Sequence, residues 1–285
     1  MTNFLSVHPW RPAACVRASG PDAFDFLQGQ FTNDLRELDR SPAVYGLWLN
    51  AKGKVMADSF ILRGASPQEF YVISYFSPAT VIRERLESHL IADDVTLTDE
   101  TAEWWGYAVV GSPANPPLQA GADLLVFPGR RGWPAQAEWL SRGPKEFPGA
   151  RLLTVAEMER ARLDAGIPAV PMDLGPGELP NEGGLDVAAV SYTKGCYLGQ
   201  EVMARLKSMG QVRRQLLRVI GAGPVPAKPA VLYQGGKKIG ELRSAITTGD
   251  REFRGLALLS LLTLDRESGF SLAPAEAARV QLAKT

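Results

Sequence analysis

A chain of 285 residues with 45% hydrophobic and 22% charged side chains is too long for one small core and has the make-up of a soluble globular protein. Lysine plus arginine and aspartate plus glutamate both number 31, so no net field draws the chain to nucleic acid or to an anionic membrane, and neither is an expected partner. The opening MTNFLSVHPWRPAACVRASG lacks a secretory signal pattern, and no run approaches the roughly 18 apolar residues of a membrane span. The two cysteines, Cys15 and Cys196, make no disulfide framework, so a reducing cytoplasm is the expected setting, and two histidines, His8 and His89, are too few for a histidine metal site.

In chain order, Ala14-Cys15-Val16 reads as a short strand with Cys15 buried and inert. Ser19-Gly20-Pro21 then opens a helix whose apolar side carries Phe24, Leu27 and Phe31. A β-meander follows: strands over Ala43–Asn50, Lys54–Arg63 and Glu69–Tyr75, with Asn50-Ala51-Lys52-Gly53 as the first turn. Asp58 falls between Met56 and Phe60 on one strand face and is a candidate site carboxylate. Ser77 is placed to cap a helix with Ile82, Leu86 and Leu90 as its buried stripe, and His89 beside Leu90 reads as packing. Beyond Ala102 the pattern loosens. Trp104–Val110 and Ala122–Phe127 read as strands joined by the loop Ser112–Gly121, whereas Trp133–Leu140 and Val155–Leu163 read as short helices.

The stretch Gly166–Gly184 is rich in proline and glycine and has no periodicity, which marks a functional segment or a linker. It leads into SYTKGCYLGQEVMARLKSMG, where glycines at 195 and 199 bracket Cys196 and a helix starts at Gln200. Val202, Leu206 and Met209 share one face of that helix, Glu201 and Arg205 are spaced to pair, and Gly210 stops it. Lys194 and the helix N-terminus both favour a thiolate, so Cys196 is the candidate nucleophile or ligand. From residue 211 the chain is almost all short strands (Leu216–Ile220, Ala230–Tyr233, Lys238–Thr247, Phe253–Leu262, Ala278–Ala283), a small antiparallel barrel with Gly235-Gly236 as a plain hairpin turn.

The run Lys194-Gly195-Cys196-Tyr197-Leu198-Gly199-Gln200-Glu201 resembles the K-G-C-Y-x-G-Q-E motif of YgfZ-type folate-binding proteins, relatives of the glycine-cleavage T-protein that include a mitochondrial iron–sulfur maturation factor. Weaker resemblances lie at Gly20–Leu35, at Lys52-Gly53-Lys54-Val55 with Asp58, and at Leu179–Asp186, where Gly184 replaces an Asn common in the family. The resemblance implies an α+β fold of three subdomains: two antiparallel-sheet units, 1–100 (folate-binding) and 101–210 (carrying the cysteine motif), and a C-terminal antiparallel β-barrel, 211–285. It implies a tetrahydrofolate-binding protein that assists iron–sulfur cluster assembly or repair on client enzymes. The cofactor would be tetrahydrofolate or a one-carbon derivative, and the partners iron–sulfur client or assembly proteins around a monomer. Cys196 would be the reactive thiol or a transient cluster contact, with no resident metal, and Lys194 would tune it. Glu182 would accept the pterin's paired N–H groups. Tyr197, Gln200 and Glu201 would complete the site, and Arg205 would meet Glu201 or the folate glutamate tail, with Arg213 and Arg214 as further candidates. The alternative is an aminomethyltransferase of the T-protein type.

Overall fold

The computed structural model describes residues 5–111, 123–133, 136–249 and 251–284, and only the backbone of Met209. The expected loop Ser112–Gly121 and the strand start at Ala122 lie outside the described residues. In the first third, β1 (Ser6–Trp10), β2 (Ala14–Ser19), α1 (Ala23–Gln30), β3 (Val44–Leu49), β4 (Val55–Arg63), β5 (Glu69–Ser74), α2 (Ala79–Glu87) and β6 (Thr96–Asp99) follow one another. The middle holds β7 (Trp105–Val110), β8 (Leu124–Pro128), β9 (Gln136–Ser141), β10 (Arg151–Leu152), α3 (Val155–Asp164), α4 (Leu185–Ala188) and α5 (Gln200–Met209). The last part is β11 (Arg214–Ala222), β12 (Ala230–Gln234), β13 (Lys237–Gly249), β14 (Glu252–Ser260) and β15 (Val280–Leu282).

These strands form three five-stranded sheets, ordered β3-β4-β5-β2-β6, β10-β1-β7-β9-β8 and β12-β13-β14-β11-β15. The fold is therefore α+β. The first sheet is antiparallel throughout and covered on both faces, which is why β4 is buried at nearly every position. On one face α1 and α2 bring Phe26, Leu27, Phe31, Ile82 and Leu86 onto Val16, Ile61 and Val72. On the other, Cys15, Phe60, Tyr71 and Ile73 pack against Trp104, Leu125, Phe127 and Leu140 of the second sheet, with the Phe60 and Phe127 rings 4.9 Å apart. Each such aromatic side chain contributes about 1.5–3 kcal/mol by leaving water. The third sheet curls: the segment Phe270–Ser271 bridges Tyr233 on one edge strand and Val280 on the other, around buried Phe253 and Phe270.

The structure corrects three readings of the sequence. Trp133–Leu140 is no helix, because Gln136–Ser141 is a strand paired antiparallel with both β7 and β8. Ser77 does not cap α2, whose N-terminal residue Pro78 has no capping side chain; the Ser77 hydroxyl instead turns to Asp58. His89 lies beyond the end of α2 and holds its Nδ1 2.8 Å from Arg85 Nη1. In addition, β1 joins the second sheet by pairing with β7 and β10, so residues 1–100 contribute strands to two sheets.

Candidate functional site

Three neighbouring arrangements hold the residues that carry chemistry. The first surrounds Asp58, which β4 places at the wall between the first two sheets. Its carboxylate accepts hydrogen bonds from Ser74 Oγ at 2.9 Å, Ser77 Oγ at 2.7 Å and Tyr45 OH at 2.9 Å, and it is 5% exposed. Burial pushes the Asp58 carboxyl above its ordinary range even though all three hydroxyls favour the charged form. Burial likewise raises the Tyr45 and Tyr75 phenols.

Asp58 lines a cavity of about 160 Å³ together with Trp10, Tyr45, Tyr75, Arg130 and Arg131. The two arginines lie over aromatic rings, Arg130 4.5 Å from the Tyr45 centroid and Arg131 3.9 Å from that of Tyr75. Glu138, fully buried on β9, accepts from Arg131 Nε at 2.8 Å, Tyr75 OH at 2.9 Å and Gln136 Nε2 at 2.6 Å, all on one oxygen. Arg131 Nη2, Trp10 Nε1 and the second oxygen of Glu138 are buried without partners. Sequence reasoning missed Tyr75, Arg130, Arg131 and Glu138. The available signal was the arginine pair within Gly129-Arg130-Arg131-Gly132, directly after an apolar strand.

The second arrangement is the cysteine turn. Lys194 is 5% exposed and its ammonium donates to the carbonyls of Gln28 at 2.5 Å, Phe31 at 2.7 Å and Asn33 at 3.0 Å. It thus sits on the negative C-terminal end of α1. Burial lowers its pKa to about 8. The expected role of Lys194 beside the thiol meets a different geometry, in which all three ammonium donors point into the first subdomain. Cys196 is exposed, whereas Cys15 is fully buried with its thiol pushed up by burial. Tyr197 is buried with its ring 5.4 Å from Lys194 Nζ and its hydroxyl unpartnered. Gln200 is half-buried; Glu201 and Arg205 are exposed on α5, and no ion pair joins them among the described residues.

Two glycines explain why this turn sits where it does. Gly199 has φ +88°, and a Cβ there would lie 3.0 Å from Asn50 O and 3.2 Å from Gly53 Cα. Gly53 has φ +68°, and its Cβ would lie 2.9 Å from Val202. The β3–β4 turn and the start of α5 are thus pressed together at a distance only glycines allow. Below them Met203 and Tyr197 close over Leu47, Leu49 and Val55.

Glu182 anchors the third arrangement, in the short 3₁₀ turn Pro180–Gly183. Its oxygens accept Arg214 Nε at 2.8 Å, Arg214 Nη2 at 3.0 Å and Leu179 N at 2.7 Å. Both oxygens expected to receive a pterin therefore face a bidentate arginine from β11. Glu178 makes a parallel link to Arg243 at 3.2 Å. Lys54, Asn181, Glu182, Arg213 and Arg214 line a cavity of about 480 Å³. The β3–β4 pairing shifts by one residue here, Trp48 facing Ala57 and Leu49 facing Val55, so Met56 forms a bulge between Lys54 and Asp58.

Comparison with known proteins gives this architecture a family. Residues 12–125 match the GCVT N-terminal domain and residues 213–284 the CAF17 C-terminal beta-barrel domain. The chain is 30% identical to human "Iron-sulfur cluster assembly factor IBA57, mitochondrial" over 302 aligned positions, which cover 94% of this chain and 80% of the human protein. It belongs to the IBA57/YgfZ family. A second member, "tRNA-modifying protein YgfZ" of Edwardsiella ictaluri (strain 93-146), is 29% identical over 76% of this chain and 71% of its own length. The fold is shared with the glycine cleavage system aminomethyltransferase T of Bartonella henselae at a TM-score of 0.80, over 99% of this chain and 85% of that one, at 16% identity. The expected T-protein-like fold is thereby borne out. Among the described residues no helix is long and apolar enough to cross a membrane, and no group of three or more His, Cys, Asp or Glu is placed to hold a metal ion.

Proposed function

We propose that this chain is a tetrahydrofolate-binding iron–sulfur cluster assembly factor of the cytoplasm, acting with iron–sulfur client or assembly proteins. The observation that carries the reading is the match to the human assembly factor across 94% of the chain, in a molecule that also exposes the motif cysteine.

The residues fit a folate. Arg130, Arg131 and the hydroxyl-bound carboxyl of Asp58 line one cavity, and Glu182 with Arg214 lines the other. The Asp58 cavity, at about 160 Å³, takes only part of such a molecule, so the rest of the ligand would lie outside it. A bound tetrahydrofolate supplies a carrier for one-carbon units. Glu182 would hold the pterin once Arg214, 40% exposed and able to swing outward, has moved its guanidinium. Arg213 and Lys54, which line that cavity, are better placed for the glutamate tail than Arg205 on the exposed side of α5. Lys194, Tyr197, Gln200 and Glu201 would shape and hold the turn. Cys196 offers a single sulfur, so the remaining ligands of any cluster it touches would belong to the protein that carries the cluster.

The test is a tetrahydrofolate titration, read by calorimetry and by tryptophan fluorescence, beside restoration of cluster-enzyme activities in cells lacking the factor. Glu182→Gln should weaken folate binding by about 2–4 kcal/mol. Cys196→Ser should keep folate binding and fail to restore the enzymes. Absence of folate binding in the native chain defeats the cofactor part, and full restoration by Cys196→Ser defeats the thiol part.

A further inference from the structure

A cleft of about 590 Å³ opens where the C-terminal end of α3 meets the third sheet, away from every residue named above for folate or cysteine chemistry. Its charged lining is Asp164, Arg218, Arg254, Arg266, Glu267 and Lys284. Four cations thus face two carboxylates, in a protein whose charges balance overall. One carboxylate is already committed. Asp164 accepts Arg254 Nη1 at 2.8 Å, lies 3.6 Å from Arg160, and gives its backbone carbonyl to Arg218 Nη1 at 2.7 Å. These contacts hold two guanidinium groups at the cleft wall before any ligand arrives, which lowers the ordering cost of binding. Arg254 Nε is buried with no partner, and Arg266 and Lys284 are exposed with no carboxylate partner among the described residues.

We infer that this cleft binds a small molecule bearing two or more linked phosphates. Guanidinium groups pair with phosphate oxygens through parallel N–H bonds, and a compact polyanion is the ligand that satisfies several converging cations at once. The volume falls within the range of small-molecule sites and suits a nucleotide or a short polyphosphate. Such a ligand would tie α3 to β11 and β14, so its binding also stabilises the whole chain.

The experiment is calorimetry and thermal unfolding of the full chain at physiological salt with tripolyphosphate, ATP and adenosine as probes. Tripolyphosphate and ATP should bind and raise the unfolding temperature, and adenosine should do neither. Equal affinity for the two anions assigns the site to the phosphates alone, and tighter ATP binding assigns it to a nucleotide. Arg266→Gln with Lys284→Gln, which breaks no ion pair among the described residues, should weaken binding at least about tenfold. Lys145→Gln, an exposed cation elsewhere, should leave this binding unchanged. The inference falls if neither anion binds at millimolar concentration, if adenosine binds as well as ATP, if the double variant binds unchanged, or if Lys145→Gln weakens binding as much.

Discussion

Asp58 and Glu182 are covered to the same degree, 5% and 6% exposed, yet their charge is accommodated by different chemistry. Glu182 meets a guanidinium in a two-bond fork plus a backbone N–H, so its countercharge is built in. Asp58 meets three hydroxyls and no directly bonded cation, and burial lifts its pKa. A hydroxyl cage holds a carboxyl that can be neutral or charged, whereas a fork holds one that must be charged. The first suits a group that exchanges protons or hydrogen bonds with a ligand. The second ties the loop before the cysteine turn to the third sheet.

Breaking the fork should have the largest effect on stability. Arg214→Met leaves Glu182 covered and uncompensated and should cost about 2–3 kcal/mol, the lower side for a paired buried charge because Arg214 is 40% exposed. Urea unfolding measures this, and a cost under about 0.5 kcal/mol would show the fork to be a surface pair. Opening the cage should cost less. Ser77→Ala removes one donor to Asp58 and should cost about 1–2 kcal/mol by the same measurement. If it equals or exceeds the loss at Arg214, the ranking of fork over cage is wrong.

The pH dependence sharpens the contrast further. The folded pKa of Asp58 is raised, so below about pH 4 both folded and unfolded chains hold the proton and the contribution to stability is fully present. As pH rises the unfolded chain releases its proton first, and stability falls until Asp58 itself ionises. Asp58→Asn should remove this decline, visible as urea midpoints for native and variant chains that differ by a pH-dependent amount between pH 4 and 7; parallel curves would show an unshifted group. Lys194 gives the opposite sign: its depressed pKa of about 8 makes stability rise with pH from about 8 towards the ordinary lysine value. Lys194→Met should abolish that rise, and an unchanged slope from pH 8 to 10 would assign it to other groups.

Much of this molecule was legible in its sequence, for reasons that differ by region. The third sheet announced itself through alternating strands and glycine turns, which are local signals. The buried state of Cys15 and the helix after Gly199 were local too. Gln136–Ser141 was misread because Ala-Glu-Trp-Leu favours a helix intrinsically, while pairing with strands on both sides decided the outcome. The Asp58 cavity stayed hidden because its parts are far apart in the chain, Tyr75 meeting Glu138 across 63 positions. Lys194 is the clearest case. Its neighbour in sequence is the cysteine, but its bonds reach back 161 to 166 positions.

Those long reaches bear on how the chain comes into being. The thiol of Cys196 is displayed by a turn whose lysine is gripped at Gln28, Phe31 and Asn33, and whose glycine rests on Asn50 and Gly53. A ribosome delivers those supports well before it delivers the turn, so the platform stands ready when the cysteine emerges. A chain whose opening third has misfolded or been clipped away has nothing to hang the turn on. The Cys196 sulfur then loses the turn that exposes it, and display of the thiol becomes a certificate that the opening third was made correctly.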